Sequence, residues 1–296
     1  MRQGSATGRK IAGAGLATAA AAASFLLLGA GQSGAAASEA THRAEIGEAR
    51  RGSVTVRIAP AVDVAVSGGR AAGRPIVVID PGHGGRDPGA VSVSGTVAEK
   101  QLTLALAREL RDRLAERGRV RVALTRDSDR YLTLEERAGV ARALGASLFL
   151  SIHMDSAPNP LARGASVYSL SDVASDAEAA RFAAAQNAGG IAGTADGSVR
   201  SMLSDLALRS LMSASADLAS RLVRKSAARV EMRPEPHRFA TFHVLRRAEA
   251  PAVLFEAGYV SNADDELLLR SPEHRKALVA GLAETIETDV AARLRR

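Results

Sequence analysis

The stretch IVVIDPGHGG, residues 76–85, joins a short apolar run to a loop that no regular element accommodates. The β-branched residues at its start favour a strand, because such side chains pack well on a pleated, half-buried surface. Pro81 and the three glycines around His83 argue against both a helix and a continued strand. Glycines also let another group approach the backbone closely. The stretch therefore predicts a strand that delivers one imidazole, that of His83, into a tight loop.

Apolar strands alternate with helical patterns along the rest of the chain. This alternation predicts an α/β fold, in which a twisted, mostly parallel sheet is flanked by helices on both faces. We expect strands at 76–80, 120–125, 147–153, 165–170, 242–245 and 252–258, and helices at about 97–117, 134–144, 199–230 and from 272. Residues 75–296 are expected to form one domain, in which residues 171–241 are a helical insert.

The N-terminal 37 residues have the pattern of a secretory signal peptide. Three cations and no acid come first, an Ala- and Leu-rich segment follows, and small residues end the segment. A membrane anchor is the alternative, but the strongly apolar part is shorter than the ~20 residues that a spanning helix needs. Residues 38–74 are rich in Ala, Gly, Ser and Arg, and we expect a linker there with one weak strand pattern.

The composition argues against a nucleic-acid partner. The formal charge of +7 becomes +4 without the three cations of the N-terminal segment, and aromatic residues make up only 3% of the chain. Neither a strongly basic surface nor aromatic residues for base stacking are therefore expected. The chain contains no Cys, so a metal site would have to use His, Asp and Glu.

Three polar residues share one type of position, because each stands where a predicted strand ends. His83 follows IVVID, His153 ends SLFLSIH, and Glu256 ends AVLF. In open α/β sheets, ligands bind beyond the carboxyl ends of the strands. Each residue alone is unremarkable, since a loop histidine is more often a hydrogen-bonded surface residue and a single glutamate usually pairs with an arginine. Their shared placement is what indicates a site.

Glu99 is a fourth candidate. On a helix it falls on the face that also carries the leucines at 102, 106, 110 and 114. A carboxylate that faces a core must be paired or bound to a metal. The alternative is a capping box, in which Thr96 is the N-cap residue and Glu99 occupies position N3. The spacing leaves both interpretations open.

Together these residues indicate a catalytic metal site. Two imidazoles and one carboxylate, with a fourth position left open, are typical of zinc sites used in amide hydrolysis. A second carboxylate nearby would serve as the general base. His83, Glu99, His153 and Glu256 supply these four groups, but the spacing does not decide which glutamate takes which role.

At these residues the chain resembles the zinc-dependent N-acetylmuramoyl-L-alanine amidases of the type-3 amidase family, which are bacterial cell-wall hydrolases. Several motifs carry the resemblance in order along the chain, namely IVVIDPGHGGRDPGA (76–90), VAEKQLTLALA (97–107), TR (125–126), LFLSIHMDS (148–156) and PAVLFEAGYVSNADDE (251–266). Together they span most of residues 76–296.

The resemblance implies the roles of four residues. His83, Glu99 and His153 match the zinc ligands of the family, and Glu256 matches its catalytic glutamate. The implied reaction is hydrolysis of the peptidoglycan amide bond between N-acetylmuramic acid and L-alanine of the stem peptide. Such an enzyme would work in cell separation or wall remodelling, in the periplasm or at the cell wall. Two rival functions are a zinc metallopeptidase that acts on stem peptides and a non-enzymatic wall-binding module.

Three further residues are weaker candidates for a role at the site. Asp155 lies two residues beyond His153 and could support that ligand, although a solvated loop acid is the commoner case. Asn262 is expected to order a turn rather than to touch substrate. Met154 stands where the family commonly has a small residue, which predicts reduced clearance for the substrate.

The insert at 171–241 resembles the regulatory insert of division-associated amidases. In those enzymes a helix blocks the zinc through an acidic residue until an activator protein moves it. Here the corresponding stretch contains Gln186 and few acids, which leaves Glu178 and Asp196 as candidates. Autoinhibition relieved by an activator protein is therefore one hypothesis. The other is that the leucine face of the helix at 199–230 simply packs in the core.

Overall fold

The structure, a computed structural model, describes residues 63–68, 73–188 and 200–295. The predicted signal peptide, most of the predicted linker, and Asp196 lie outside these residues. None of the helices in the described part of the chain has the length and apolar composition needed to cross a membrane.

The described elements follow one another in an alternating α/β pattern. In chain order they are β1 (Val66–Ser67), β2 (Ile76–Pro81), α1 (Glu99–Arg117), β3 (Arg121–Leu124), α2 (Leu134–Ala143), β4 (Leu148–Asp155), β5 (Ala165–Leu170), α3 (Ala177–Asn187), α4 (Arg200–Ser226), β6 (Met232–Ala240), α5 (His243–Arg246), β7 (Ala252–Tyr259), α6 (Ala263–Arg270) and α7 (Pro272–Arg293).

The strands form one mixed sheet in the order β1-β3-β2-β4-β7-β5-β6. Strands β3, β2, β4 and β7 are parallel to one another, which confirms the predicted fold class. Strand β5 is antiparallel to β7, and β6 is parallel to β5. The carboxyl ends of β2, β4 and β7 and the start of β5 therefore meet at one edge of the sheet.

Apolar clusters cover both faces of the sheet. On one face the predicted leucine stripe of α1 packs with residues of α4 and α7. On the other face, residues of α2, α3 and α5 pack against the sheet. Because side chains alternate along each strand, neighbouring residues belong to different clusters, as Val77 and Val78 do.

One predicted strand is wrong. The segment 242–245 begins the short helix α5, with Phe242 as its N-cap residue, and the strand is instead Met232–Ala240. Four residues of mixed polarity fit either element, so the pattern was ambiguous. The true strand contains Pro234 and Pro236, which argue against a central strand. It lies at the edge of the sheet, where proline is tolerated.

The alternative interpretation of Glu99, a capping box with Thr96 as the N-cap residue, is not what the structure shows. Helix α1 begins at Glu99 with Ala98 as its N-cap residue, and the side chain of Gln101 accepts a hydrogen bond of 2.9 Å from the Ala98 amide. The Thr96 hydroxyl contacts Ser94 instead, at 2.7 Å. The Glu99 carboxylate is therefore not used as a helix cap.

The predicted insert is part of the fold rather than an appendage. It contains α3 and α4 and ends in β6, so it is not wholly helical. Leu218 and Leu222 of α4 are completely buried. The Ser215 hydroxyl of the same helix accepts a hydrogen bond of 2.9 Å from the amide of Ala252, the first residue of β7. The core-packing interpretation therefore holds for the second half of α4.

Replacement of Leu222 by alanine is expected to lower the free energy of unfolding by about 2–5 kcal/mol, because it empties part of a closely packed core. The matched control is Leu206→Ala on the same helix, where the side chain is 60% exposed. That change should alter the free energy of unfolding by less than about 0.5 kcal/mol. Urea denaturation measures both. Equally small losses would contradict the assignment of α4 to the core.

Candidate metal centre and active site

The loop after β2 is held from behind by two arginines. Arg126 is completely buried, and its guanidinium donates to the carbonyl oxygens of Pro81 at 2.9 Å and Gly82 at 2.7 Å. Arg137 donates to the carbonyl oxygens of Pro81 at 2.8 Å and His83 at 2.7 Å. His83 itself has φ 59°, a left-handed conformation that costs energy outside glycine and persists only where its surroundings enforce it.

Asp80, the last acidic residue before this loop, is the anion that balances the buried arginines. Its carboxylate accepts hydrogen bonds from Arg137 at 2.8 Å, Thr125 at 2.6 Å and Ser151 at 2.9 Å. Burial alone would raise the pKa of Asp80, but the charge of Arg137 and these hydrogen bonds lower it below its usual value. The carboxylate is therefore ionised and fixes the end of β2.

Glu99 lies between the two histidines. Its Oε2 is 3.1 Å from His83 Nε2, and its Oε1 is 3.0 Å from His153 Nδ1. The same carboxylate accepts hydrogen bonds of 3.0 Å from the amides of Ala90 and Met154. Burial would raise the pKa of Glu99, but the two histidines outweigh it and hold that pKa well below its usual range. The structure thus turns Glu99 toward the imidazoles and not toward its own helix.

Two glycines, which have no side chain, leave room for the side chains of His83, Glu99 and His153 to come together. A Cβ atom at Gly82 would lie 2.3 Å from Cε1 of His153. A Cβ atom at Gly89 would lie 2.5 Å from Oε2 of Glu99 and 2.7 Å from Cδ2 of His83. The two imidazole rings are nearly perpendicular, with centroids 4.9 Å apart. The glycines of the loop therefore provide room for ligand side chains.

His83, Glu99 and His153 can hold a metal ion. One ligand atom of each lies within 4.8 Å of the others, and this is the sole such group of His, Asp and Glu in residues 63–68, 73–188 and 200–295. His83 Nε2 is buried without a well-directed hydrogen bond. Burial lowers the pKa of His83, but the nearby carboxylates of Asp87 and Glu99 raise it overall to about 9, so the cluster attracts positive charge. Two imidazoles and a carboxylate are a donor set that suits zinc.

Glu256 stands beside this cluster on the next strand. It is the register partner of His153 in the parallel pair β4–β7, so both side chains lie on the same face of the sheet. Glu256 is completely buried, and neither of its carboxylate oxygens has a hydrogen-bond partner in the described residues. Burial, together with the nearby charges of Asp155 and Glu99, raises the pKa of Glu256 well above its usual value.

Asp87 is a site residue that the sequence reasoning missed. Its carboxylate is 2.9 Å from Nδ1 of His83 and fixes the orientation of that ring. A partner of this kind commonly sets which nitrogen of a ligand histidine faces the metal. The signal was present in the sequence, because an acidic residue four positions after His83 lies in the same glycine-rich loop.

Asp155, Asn262 and Met154, the three weaker candidates, lie in different surroundings. Asp155 is buried rather than solvated, and it bonds to the Ser156 amide and to Tyr259, not to His153. Burial raises the pKa of Asp155 to about 6. Asn262 is the N-cap residue of α6. Met154 packs in the core on the opposite face of the sheet from His153, so the predicted loss of substrate clearance is wrong.

A cavity of about 310 Å³ adjoins the two histidines. Its other walls include Tyr131, Arg137 and the last turn of α3, where Gln186 and Asn187 lie. Glu178 does not reach this cavity, because its carboxylate is paired with Arg233 at 3.1 Å. The end of α3 thus lies next to the candidate metal ligands.

Comparison with known proteins identifies the family. The family model "N-acetylmuramoyl-L-alanine amidase" matches residues 77–288. The chain belongs to this amidase family. It is 32% identical over 223 residues to the amidase AmiA of Escherichia coli (strain K12), covering 73% of this chain and 76% of that protein. It is 32% identical over 254 residues to AmiC of Neisseria meningitidis serogroup B, of which it spans 61%.

A solved structure supports the same family. The catalytic domain of the amidase CwlV from Bacillus (Paenibacillus) polymyxa var. colistinus is 28% identical and superposes with a TM-score of 0.53, covering 72% of this chain and 96% of that one. The prediction of a peptidoglycan amidase is therefore confirmed over the two rival functions.

Replacement of Gly82 by alanine is expected to weaken metal binding about 10- to 100-fold, the usual effect of disturbing groups that orient a ligand. Gly82 does not need a left-handed backbone, so the added Cβ acts only by displacing the His153 ring. Gly139→Ala in α2 is the matched control, because its Cβ would meet only the Arg142 side chain, at 3.7 Å. Zinc titration of both chelator-treated variants measures the difference. Wild-type affinity in the Gly82 variant would argue against His153 as a ligand.

Proposed function

We propose that this amidase uses Zn²⁺ held by His83, Glu99 and His153, with Glu256 as its general base. The observation that carries the proposal is the pairing of His153 with Glu256 across β4 and β7, which brings an unpaired carboxylate beside the cluster. The bond cleaved is the amide between N-acetylmuramic acid and L-alanine of the stem peptide. The family match supports this bond.

Zinc bound at this cluster would polarise the scissile carbonyl and lower the pKa of water. The residues of the chain supply the rest of the chemistry. Glu256 accepts the proton of the attacking water and later returns a proton to the amine of L-alanine. Asp87 keeps the His83 ring in one orientation. Two backbone amides fix the carboxylate of Glu99 in its position between the two histidines.

Helix α3 restricts access to this site and supports a regulatory role for the insert. Glu256 is fully buried, and the end of α3 forms a wall of the cavity beside the histidines. The last turn is fastened by Asn187, whose Nδ2 donates to the Thr241 carbonyl at 2.7 Å and whose Oδ1 accepts from the His243 amide at 2.8 Å. We propose that an activator protein releases this turn.

The substrate determines where the enzyme would act. Peptidoglycan lies outside the cytoplasm, and the N-terminal 37 residues have the pattern of a signal peptide. We propose export, followed by action in the periplasm or at the cell wall, in cell separation or wall remodelling.

Replacement of Glu256 by glutamine is expected to lower turnover of purified sacculi at least 100-fold, because the amide cannot accept the proton. The variant should still bind zinc and sacculi. In contrast, His153→Ala should lose zinc, while His237→Ala, a strand histidine hydrogen-bonded to Ser169, should keep it. Metal analysis and chromatography of the released peptides measure these outcomes. Stem peptides with a free L-alanine amine are expected. Normal turnover by the Glu256 variant would remove that residue from the mechanism.

Replacement of Asn187 by alanine is expected to raise basal turnover by up to about 30-fold, since loss of two hydrogen bonds of about 1 kcal/mol each favours release of the turn. Ser175→Ala is the matched control. It removes the 2.7 Å bond from the Phe239 amide, which ties the segment before α3 to β6 without freeing the last turn. Assays on sacculi without added protein compare the two. Unchanged or lower turnover in the Asn187 variant would count against the proposed gate.

A further inference from the structure

Two residues of β5 that carry hydroxyl groups share a face of the sheet with the proposed base, Glu256. Ser166 is the register partner of Glu256 in the antiparallel pair β5–β7. Tyr168 lies two residues further along the same strand, so its side chain is on the same face of the sheet. His153, Glu256 and Ser166 therefore occupy adjacent positions on three neighbouring strands.

These groups are buried and lack partners. Glu256, Ser166 and Tyr168 are all 0% exposed. Within the described residues, no hydrogen-bond partner exists for Ser166 Oγ, for Tyr168 Oη or for either carboxylate oxygen of Glu256. Buried polar groups in native proteins are almost always paired, and each exception needs an explanation. Four such atoms on one face of two paired strands indicate polar groups that the fold itself does not use.

The lack of a hydrogen-bond partner is not a general property of the hydroxyl groups on β5. Ser169 projects to the opposite face, and its hydroxyl is 2.9 Å from Nε2 of His237. Asp80 and Ser151, which share the face of Glu256, also satisfy each other, at 2.9 Å. Polar side chains near the site are therefore paired where they serve the fold.

The surroundings of Tyr168 keep its hydroxyl a hydrogen-bond donor. Burial and the nearby charges of Asp155 and Glu256 raise the pKa of this tyrosine, so it keeps its proton. Its ring packs against Phe182 of α3 and Phe242, with centroids 5.2 and 5.4 Å away. The ring is thus fixed, and the helix that covers the site contributes to holding it.

We propose that both hydroxyls belong to the reaction centre. When peptidoglycan is bound, Ser166 is a positioning residue whose hydroxyl turns to donate a hydrogen bond to the Glu256 carboxylate, and Tyr168 donates one to the amide group of the substrate. The inference rests on the proposed function, because it needs Glu256 as the base. It predicts that these hydroxyls matter for turnover and not for the stability of the fold.

Ser166→Ala and Tyr168→Phe in the full chain test the inference. Ser166→Ala is expected to lower kcat on sacculi about 10- to 100-fold and Tyr168→Phe about 100-fold or more. Zinc content should be unchanged, and KM should change less than about threefold. The melting temperature should stay the same or rise, because removing an unpaired buried hydroxyl does not break a bond. Ser166→Thr, which keeps a hydroxyl, should recover part of the turnover.

Ser169→Ala is the matched control on the same strand. It breaks an existing hydrogen bond, so its melting temperature should fall by about 2–4 °C while kcat stays at the wild-type value. The control is therefore expected to lose thermal stability and keep its kcat, whereas the two test variants should keep their thermal stability and lose kcat.

Two outcomes would overturn the inference alone. One is an active wild type whose kcat is unaffected by both substitutions. The other is a loss of melting temperature in both variants like that of Ser169→Ala, which would show that the hydroxyls serve the fold. If the wild type releases no stem peptide from sacculi, the proposed function itself fails, and the inference fails with it.

Discussion

The site depends on two buried guanidinium groups that hold one loop. Arg126 and Arg137 donate to the carbonyl oxygens at the end of β2 and in the turn that carries His83. Buried charges are costly unless they are paired and fully hydrogen-bonded. Asp80 supplies the opposite charge to Arg137, and the two guanidinium groups donate further hydrogen bonds to carbonyl oxygens of the loop and of neighbouring segments. Because the buried guanidinium donors need acceptors and the loop carbonyls supply them, the arginines and the loop stabilise each other.

That fixed loop lets three elements contribute to one centre. His83 comes from the loop, Glu99 from the first turn of α1, and His153 from β4. The glycines at 82 and 89 remove the Cβ atoms that would otherwise fill the space between these side chains. Preorganisation of this kind would hold the three candidate ligands in place before a metal ion binds. The pairing of Glu99 with the two histidines explains why a carboxylate can remain on the apolar stripe of α1.

The insert has two parts with different physical roles. The second half of α4 is core, since Leu218 and Leu222 are fully buried, and so the insert cannot move as one body without unfolding the domain. The end of α3 is held beside the histidines by the polar contacts of Asn187, while the apolar contacts of α3 come from residues earlier in the helix, such as Phe182. Regulation through the insert would therefore involve α3, while α4 stays in place.

The sequence by itself determined the parts of this protein that follow local rules. Alternating strands and helices predicted the sheet, and the loop around His83 was legible because proline and glycine restrict the backbone strongly. The strand ends at His153 and Glu256 pointed to one edge, since parallel strands share their direction. Family motifs then favoured a metal-ligand role for Glu99, which spacing alone had left open.

Only the tertiary structure decided the relations across strands and around buried charges. The pairing of Glu256 with both His153 and Ser166 depends on register between strands that are about 100 residues apart in the chain. The contact of Asp87 with His83 depends on a left-handed turn, and the edge position of β6 explains its prolines. A sequence pattern indicates which residues are buried. Which of these buried groups come into contact depends on the register between strands, and only the tertiary structure determines that register.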